Sequence, residues 1–216
     1  MTGIAIYVEG GGDNVHQKAE LRTGLDALLR TQKDAARVRK LRWKLVPCGT
    51  RGAAYDAFAY ALAMEPSAIN ILLVDSEESI TAETGDKRRD AELRVTHLTK
   101  RDGWDLTGVN PERIHLMVQC MEAWIVADAD ALTEFYGQYV GRKSLPMRQN
   151  LEDEAKTDIY DKLDRATSDR RITKGKYGKI THASQLLQRI DPGKVIKRCP
   201  RFATFTQWLG HAIAST

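Results

Sequence analysis

The stretch INILLV, Ile69–Val74, followed directly by Asp75, decides the fold. It is too short for an amphipathic helix and almost wholly apolar, so it reads as a strand buried inside a sheet. The carboxylate of Asp75 marks the point where the chain leaves the core. Upstream, Ala53–Met64 carries an apolar face through Ala54, Ala57, Phe58, Ala61 and Leu62 at helical spacing, and Pro66 stops it. Downstream, Ser76–Asp90 has little hydrophobic periodicity and includes the charge run Asp86–Asp90, which predicts a mobile loop. A helix over Glu92–Lys100 and a strand over Arg113–Val118, introduced by Pro111, follow.

The same alternation extends toward the N-terminus. Ile4–Val8 (IAIYV) reads as a strand running into Glu9, Gly10, Gly11, Gly12 and Asp13. Asn14–Lys33 has Ala19, Leu21, Leu25, Leu28 and Leu29 at helical spacing. Leu41–Val46 is β-rich, its start overlapped by the basic run Arg37, Arg39, Lys40, Arg42 and Lys44, and Gly49–Gly52 makes a turn. Beyond the fourth strand, Cys120–Asp128 and Ala129–Tyr136 are helical. After Gly137 only helices are expected, near Asp158–Ala166, Ile180–Ile190 and Phe202–Ala214, with a basic loop at Arg170–Gly178. Strands alternating with helices specify an α/β class: a mainly parallel four-stranded sheet, Rossmann-like, with helices on both faces. Residues 1–136 form the α/β core and residues 137–216 a C-terminal helical appendage. No clean linker separates them, so the appendage is expected to pack on the core as one compact unit.

Composition excludes several classes. No apolar run comes near the roughly 20 residues needed to span a bilayer. The N-terminus leads straight into a core strand without a signal-peptide pattern, which makes the cytoplasm the expected compartment. The three cysteines, Cys48, Cys120 and Cys199, form no CxxC pair, so neither a disulfide framework nor a zinc site is indicated. The five histidines show no ligand spacing, and Trp124 and Trp208 sit on apolar helical faces as core residues do. The net charge of +4 is unevenly placed: Glu65–Glu134 holds 15 acids and 7 bases, whereas Arg165–Arg201 holds 11 bases and 2 acids. An acidic middle and a basic tail suit a metal site beside a polyanion track, or simply two solvated surfaces.

Chemistry is expected where parallel strands end, because ligands of open α/β sheets bind outside the C-terminal edge. Glu9 and Asp75 both stand there. Period-2 alternation would carry Glu77 to the side of Asp75 if the extended backbone persisted. Three carboxylates so placed suit a hard divalent cation such as Mg²⁺ or Mn²⁺; singly, each could instead serve as a cap or turn former. Gly10, Gly11 and Gly12 offer a flexible loop for a phosphate or metal, or a plain tight turn; neither a Walker loop nor a GxGxxG pattern is present. Glu122 follows the fourth strand, where it could reach the same crevice or cap a helix, and Asp128 lies further on. Arg170, Arg171, Lys174, Lys176 and Lys179, with Tyr177 interleaved, suit phosphate contacts and base stacking, or an exposed loop.

The strand ending in Glu9-Gly10 with Asp13 nearby resembles the first Toprim motif, and Ile71–Asp75 followed by Ser76 and Glu77 resembles the second, usually Asp-x-Asp. The match covers about the first 80 residues. Here Glu77 replaces the second Asp with a longer ligand. More widely, Val118–Asp128 with Glu122, Lys179–Leu187 and Cys199–Phe202 are similar to an uncharacterised bacterial Toprim-like family often linked with ATPases in defence settings. The resemblance implies a Toprim fold, Mg²⁺ held by Glu9, Asp75 and Glu77 with Asp13 close by, and phosphodiester chemistry. Its relation to overcoming-lysogenization-defect (OLD) nucleases implies a catalytic lysine, Lys176 or Lys179. The expected activity is therefore metal-dependent nuclease action on DNA or RNA, with a separate ATPase chain and a homodimer as further expectations. A non-catalytic nucleic-acid-binding or regulatory subunit, and a small-molecule phosphotransferase or phosphatase, are the alternatives.

Overall fold

The computed structural model describes residues 3–81 and 83–216. Four strands, β1 (Gly3–Val8), β2 (Arg42–Pro47), β3 (Ile69–Asp75) and β4 (Ile114–Met117), form one parallel sheet in the order β2-β1-β3-β4. Ten α-helices surround it among the described residues: α1 (Val15–Leu28), α2 (Arg30–Val38), α3 (Arg51–Met64), α4 (Lys87–Asp102), α5 (Glu122–Val126), α6 (Ala129–Tyr136), α7 (Lys156–Ala166), α8 (Lys179–Leu187), α9 (Pro192–Arg198) and α10 (Pro200–Ala214). This is the expected α/β, Rossmann-like arrangement. No helix among the described residues is long and apolar enough to cross a membrane.

Alternation along the strands divides the core in two. Ile4, Ile6, Val8, Ile71 and Leu73 face one side, where Leu21 and Leu25 of α1, Trp124 of α5, Leu186 of α8 and Phe202 of α10 join them. Ala5, Tyr7, Leu72 and Val74 face the other side, against Phe58 of α3 and Leu98 of α4. Both faces are thus covered, which is why β1 and β3 read as continuous apolar runs. Each large apolar side chain removed from water this way contributes about 1.5–3 kcal/mol before entropic costs. Residues on either side of Gly137 share the first cluster, which runs from Ile4 to Ile213.

Some local expectations change. The helix expected over Asn14–Lys33 is two helices, broken at Leu29, whose backbone (φ −100°, ψ 23°) leaves the helical region. The segment expected to be a mobile loop to Asp90 ends earlier, because Asp86 caps α4 by accepting from the Arg88 and Arg89 N–H groups. Asp90 then anchors the loop, accepting from Thr84 N–H, Thr84 Oγ1 and Gly85 N–H at 2.7, 2.8 and 3.1 Å. Helix α9 was not expected; Asp191 as N-cap and Pro192 at the first position are its start signals.

Candidate metal centre

β1 and β3 are parallel neighbours, with Val8 opposite Leu73, so the residues just beyond them emerge side by side. Glu9 N–H donates to the Leu73 carbonyl at 3.1 Å, and Glu9 Oε2 accepts from Asp75 N–H at 3.2 Å. One carboxylate oxygen from each of Glu9, Asp75 and Glu77 lies within 4.8 Å of the others. Glu77 arrives by a route that alternation does not describe. Its φ is +70°, in the left-handed region, which costs a non-glycine residue roughly 1–2 kcal/mol. Two bonds to the end of β4 and the chain just after it hold it there: Ser76 N–H to the Met117 carbonyl and Glu77 N–H to the Gln119 carbonyl, both 2.9 Å.

Four cations face these carboxylates; Arg101 stands at the edge, its Nη2 4.0 Å from Glu77 Oε2. Arg51, the first residue of α3, donates to Glu9 Oε2 at 3.2 Å and to the Asp75 carbonyl. It is fixed from behind by a two-pronged bond to Asp102, 2.8 Å on each side, and lies over the Trp104 ring. Lys156, opening α7, places Nζ 2.6 Å from Glu77 Oε1 and 3.8 Å from Asp75 Oδ2. Lys179, opening α8, places Nζ 3.7 Å from that same Asp75 oxygen. Burial opposes the Lys179 charge, but Glu122, Asp75 and Glu9 outweigh it and its pKa is raised. Helix α8 can come this close because α1 carries Gly24 at the crossing; a Cβ there would lie 2.6 Å from the Ser184 carbonyl oxygen.

Asp75 is the most enclosed of the three, 1% exposed, with Oδ1 accepting from Met121 N–H at 2.9 Å. Burial pushes its pKa up to about 7; Lys179 opposes this, Glu9 and Glu122 reinforce it, and Lys156 opposes. Glu122 is fully buried. Its Oε1 accepts from the Tyr177 hydroxyl at 3.0 Å, while Oε2 has no partner among the described residues. It lies in the first turn of α5 and makes no capping hydrogen bond there. Burial first, and then the charge of Glu122, raise the pKa of both Tyr177 and Tyr160. A buried carboxylate with an orphan oxygen is a costly group, and it lies beside an acidic cluster.

The glycine loop borders the cluster. Gly10, Gly11 and Gly12 have φ of +112°, +87° and +61°, and with Glu9, Gln17 and Lys179 they line a cavity of about 210 Å³. Gly10 N–H is not free for a ligand, since it donates to the Gly49 carbonyl at 2.8 Å. Asp13 is exposed and outside the carboxylate cluster, contrary to expectation, because the left-handed glycines turn the chain outward before it. Lys176 is likewise not at the site: its Nζ pairs with Asp164 at 2.9 Å on the surface. Arg171 pairs with Asp169 and lies over Tyr139, and Lys174 lies over Phe135. Arg170 is exposed. Asp128 belongs elsewhere too, capping α6 and pairing with Lys194 at 2.7 Å. Of the basic residues between Arg170 and Lys179, Lys179 alone is brought to the carboxylates.

Arg51 and Lys156 escaped the sequence reading. Arg51 had a faint signal, a charged residue in the turn after a strand, at the edge where ligands bind. Lys156 had none, being carried in by a helix remote in sequence. The donor set fits a hard divalent cation: three carboxylates converge on a rigid strand edge, and the orphan oxygen of Glu122 lies near.

A family model described as a domain of unknown function (DUF4276) matches residues 8–210, and the chain belongs to that family. No curated protein and no solved structure matches the chain.

Proposed function

We propose that this member of the DUF4276 family is a Toprim-like, Mg²⁺- or Mn²⁺-dependent phosphodiesterase that hydrolyses nucleic acid. The observation that carries the reading is the convergence of Glu9, Asp75 and Glu77 at the C-terminal edge of the two central strands. These three residues would hold the cation, which when bound supplies Lewis acidity and a water acidic enough to act as nucleophile near neutral pH. The protein's own groups do the rest. Arg51, locked by Asp102, orients the Glu9 carboxylate. Lys179 is the positive charge best placed to stabilise a phosphate that gains charge during attack. Glu122, held by Tyr177, leaves its second oxygen without a hydrogen-bond partner beside the cluster. A cytoplasmic bacterial setting and a separate ATPase subunit belong to the same proposal.

Single- and double-stranded DNA and RNA, each incubated with Mg²⁺, Mn²⁺ or EDTA, provide the test. Cleavage should require the cation and vanish in Asp75→Asn while that variant stays folded. Cleavage at the parent rate by a folded Asp75→Asn protein would refute this site. A second reading, a binding or regulatory subunit, draws on the pairing of all three carboxylates with Arg51, Lys156 and Lys179. It takes over if the parent binds nucleic acid but cleaves none with any cation, alone or with its ATPase.

A further inference from the structure

Two of the four cations at the carboxylate cluster are held in a way that permits exchange. Lys156 and Lys179 flank one oxygen of Asp75, at 3.8 and 3.7 Å, and Lys156 also holds Glu77 at 2.6 Å. A divalent cation bound there needs those same oxygens. The ammonium groups and the cation would repel each other at such distances, most strongly at the Asp75 oxygen, whose side chain is 2% exposed. Arg51 cannot yield, because its planar guanidinium is committed to Asp102 on two prongs and packed on Trp104. The lysines can. Each sits at the first position of its helix, on a flexible four-carbon stem, with a side chain 25% (Lys156) or 42% (Lys179) exposed, against 2% for Asp75.

We propose that Lys156 and Lys179 are exchangeable counter-ions: they neutralise Asp75 and Glu77 while no cation is bound, and turn to the phosphates of a nucleic-acid backbone when one takes the carboxylates. This rests on the reading of the site as a divalent-cation centre. Its consequence is coupling. The metal-free protein offers the polyanion a site whose positive charges are already spent, and the loaded protein offers two free ammonium groups. Cation and nucleic acid therefore bind cooperatively, and by reciprocity each raises the other's affinity by the same factor.

The test is binding, not turnover. A short labelled single-stranded oligonucleotide, in separate DNA and RNA arms, is titrated by fluorescence anisotropy in Ca²⁺ and in EDTA across a salt series. The parent should bind more tightly in Ca²⁺. Lys156→Gln/Lys179→Gln should lose far more affinity in Ca²⁺ than in EDTA, with a salt slope in Ca²⁺ shallower by about 1.4 for two lost single-strand contacts. By calorimetry without nucleic acid, the double variant should bind Ca²⁺ more tightly than the parent, since its competitors are gone. Equal losses in Ca²⁺ and EDTA would mean lysines always available to phosphate; no loss in Ca²⁺ would mean lysines that never reach it; a parent that binds the cation but no oligonucleotide has nothing for them to reach. Each overturns the exchange and leaves the cation site standing. A parent that binds no divalent cation removes the site reading itself. If the double variant does not fold, Lys179→Gln carries the same comparison with about half the slope change.

Discussion

Asp75 concentrates the electrostatic conflict of the molecule. It ends β3, a strand buried from Asn70 onward, is 1% exposed, and its pKa is pushed up to about 7, chiefly by burial. A folded-state pKa above the unfolded value means that the native protein binds the extra proton. The stability this gives is fully present below about pH 4 and is lost as pH rises through about 7. At pH 8, then, the carboxylate is a liability to the empty protein. Asp75→Asn should raise the metal-free stability there by on the order of 2–4 kcal/mol, a shift of three units being worth about 4 kcal/mol in full. Urea denaturation in EDTA at pH 5 and pH 8 checks this, with the gain concentrated at pH 8. Because the proton and a divalent cation compete for one carboxylate, Mn²⁺ affinity should climb about tenfold per pH unit below 7 and level off above it. Calorimetric titration between pH 5.5 and 8.5 would expose a flat profile, which would sink the assignment of Asp75 as a ligand.

At the scale of elements, position depends on how closely two helices approach. Lys179 reaches Asp75 because α8 lies against α1 at Gly24, where a Cβ would sit 2.6 Å from the Ser184 carbonyl and 3.0 Å from Leu187 Cβ. Backbone cannot give way as a flexible side chain can. Gly24→Ala should therefore push α8 outward and cost about 1–3 kcal/mol by overpacking, despite the better helix propensity of alanine. A Tm equal to or above the parent's would show that the crossing has slack. The strand edge supplies the other half of the site. The 76–77 segment tracks the end of β4 and the chain just after it through bonds to Met117 and Gln119, so the Glu77 position is set by β4. The left-handed φ of Glu77 shows why alternation alone, valid to Asp75, stops being a guide so soon after it.

On the scale of the whole molecule, the helices after Gly137 complete the core as well as the site. Trp124 packs on Phe202 of α10 with ring centroids 4.8 Å apart, and Leu21 and Leu25 of α1 share a cluster with Leu186 and Leu187 of α8. A fragment ending at Tyr136 would expose that face of the sheet, so it should not fold. Its far-ultraviolet dichroism and amide proton dispersion should be those of a disordered or molten chain. A cooperative thermal transition in the fragment would show that the α/β core stands alone. The sequence by itself determined the strands and their parallel α/β class, because period and apolar runs are local properties; Glu9 meets Asp75 because β1 and β3 are neighbours, the connection from β2 to β3 passing over β1. Only the tertiary structure decided which charges face those carboxylates: Arg51, Arg101 and Lys156 entered, Lys179 was kept, and Asp13 and Lys176 were turned away. The physical reason is range. A buried strand is written in its own few residues, whereas a charge pair between residues 75 and 179 depends on every helix packed between them, down to a missing Cβ at Gly24.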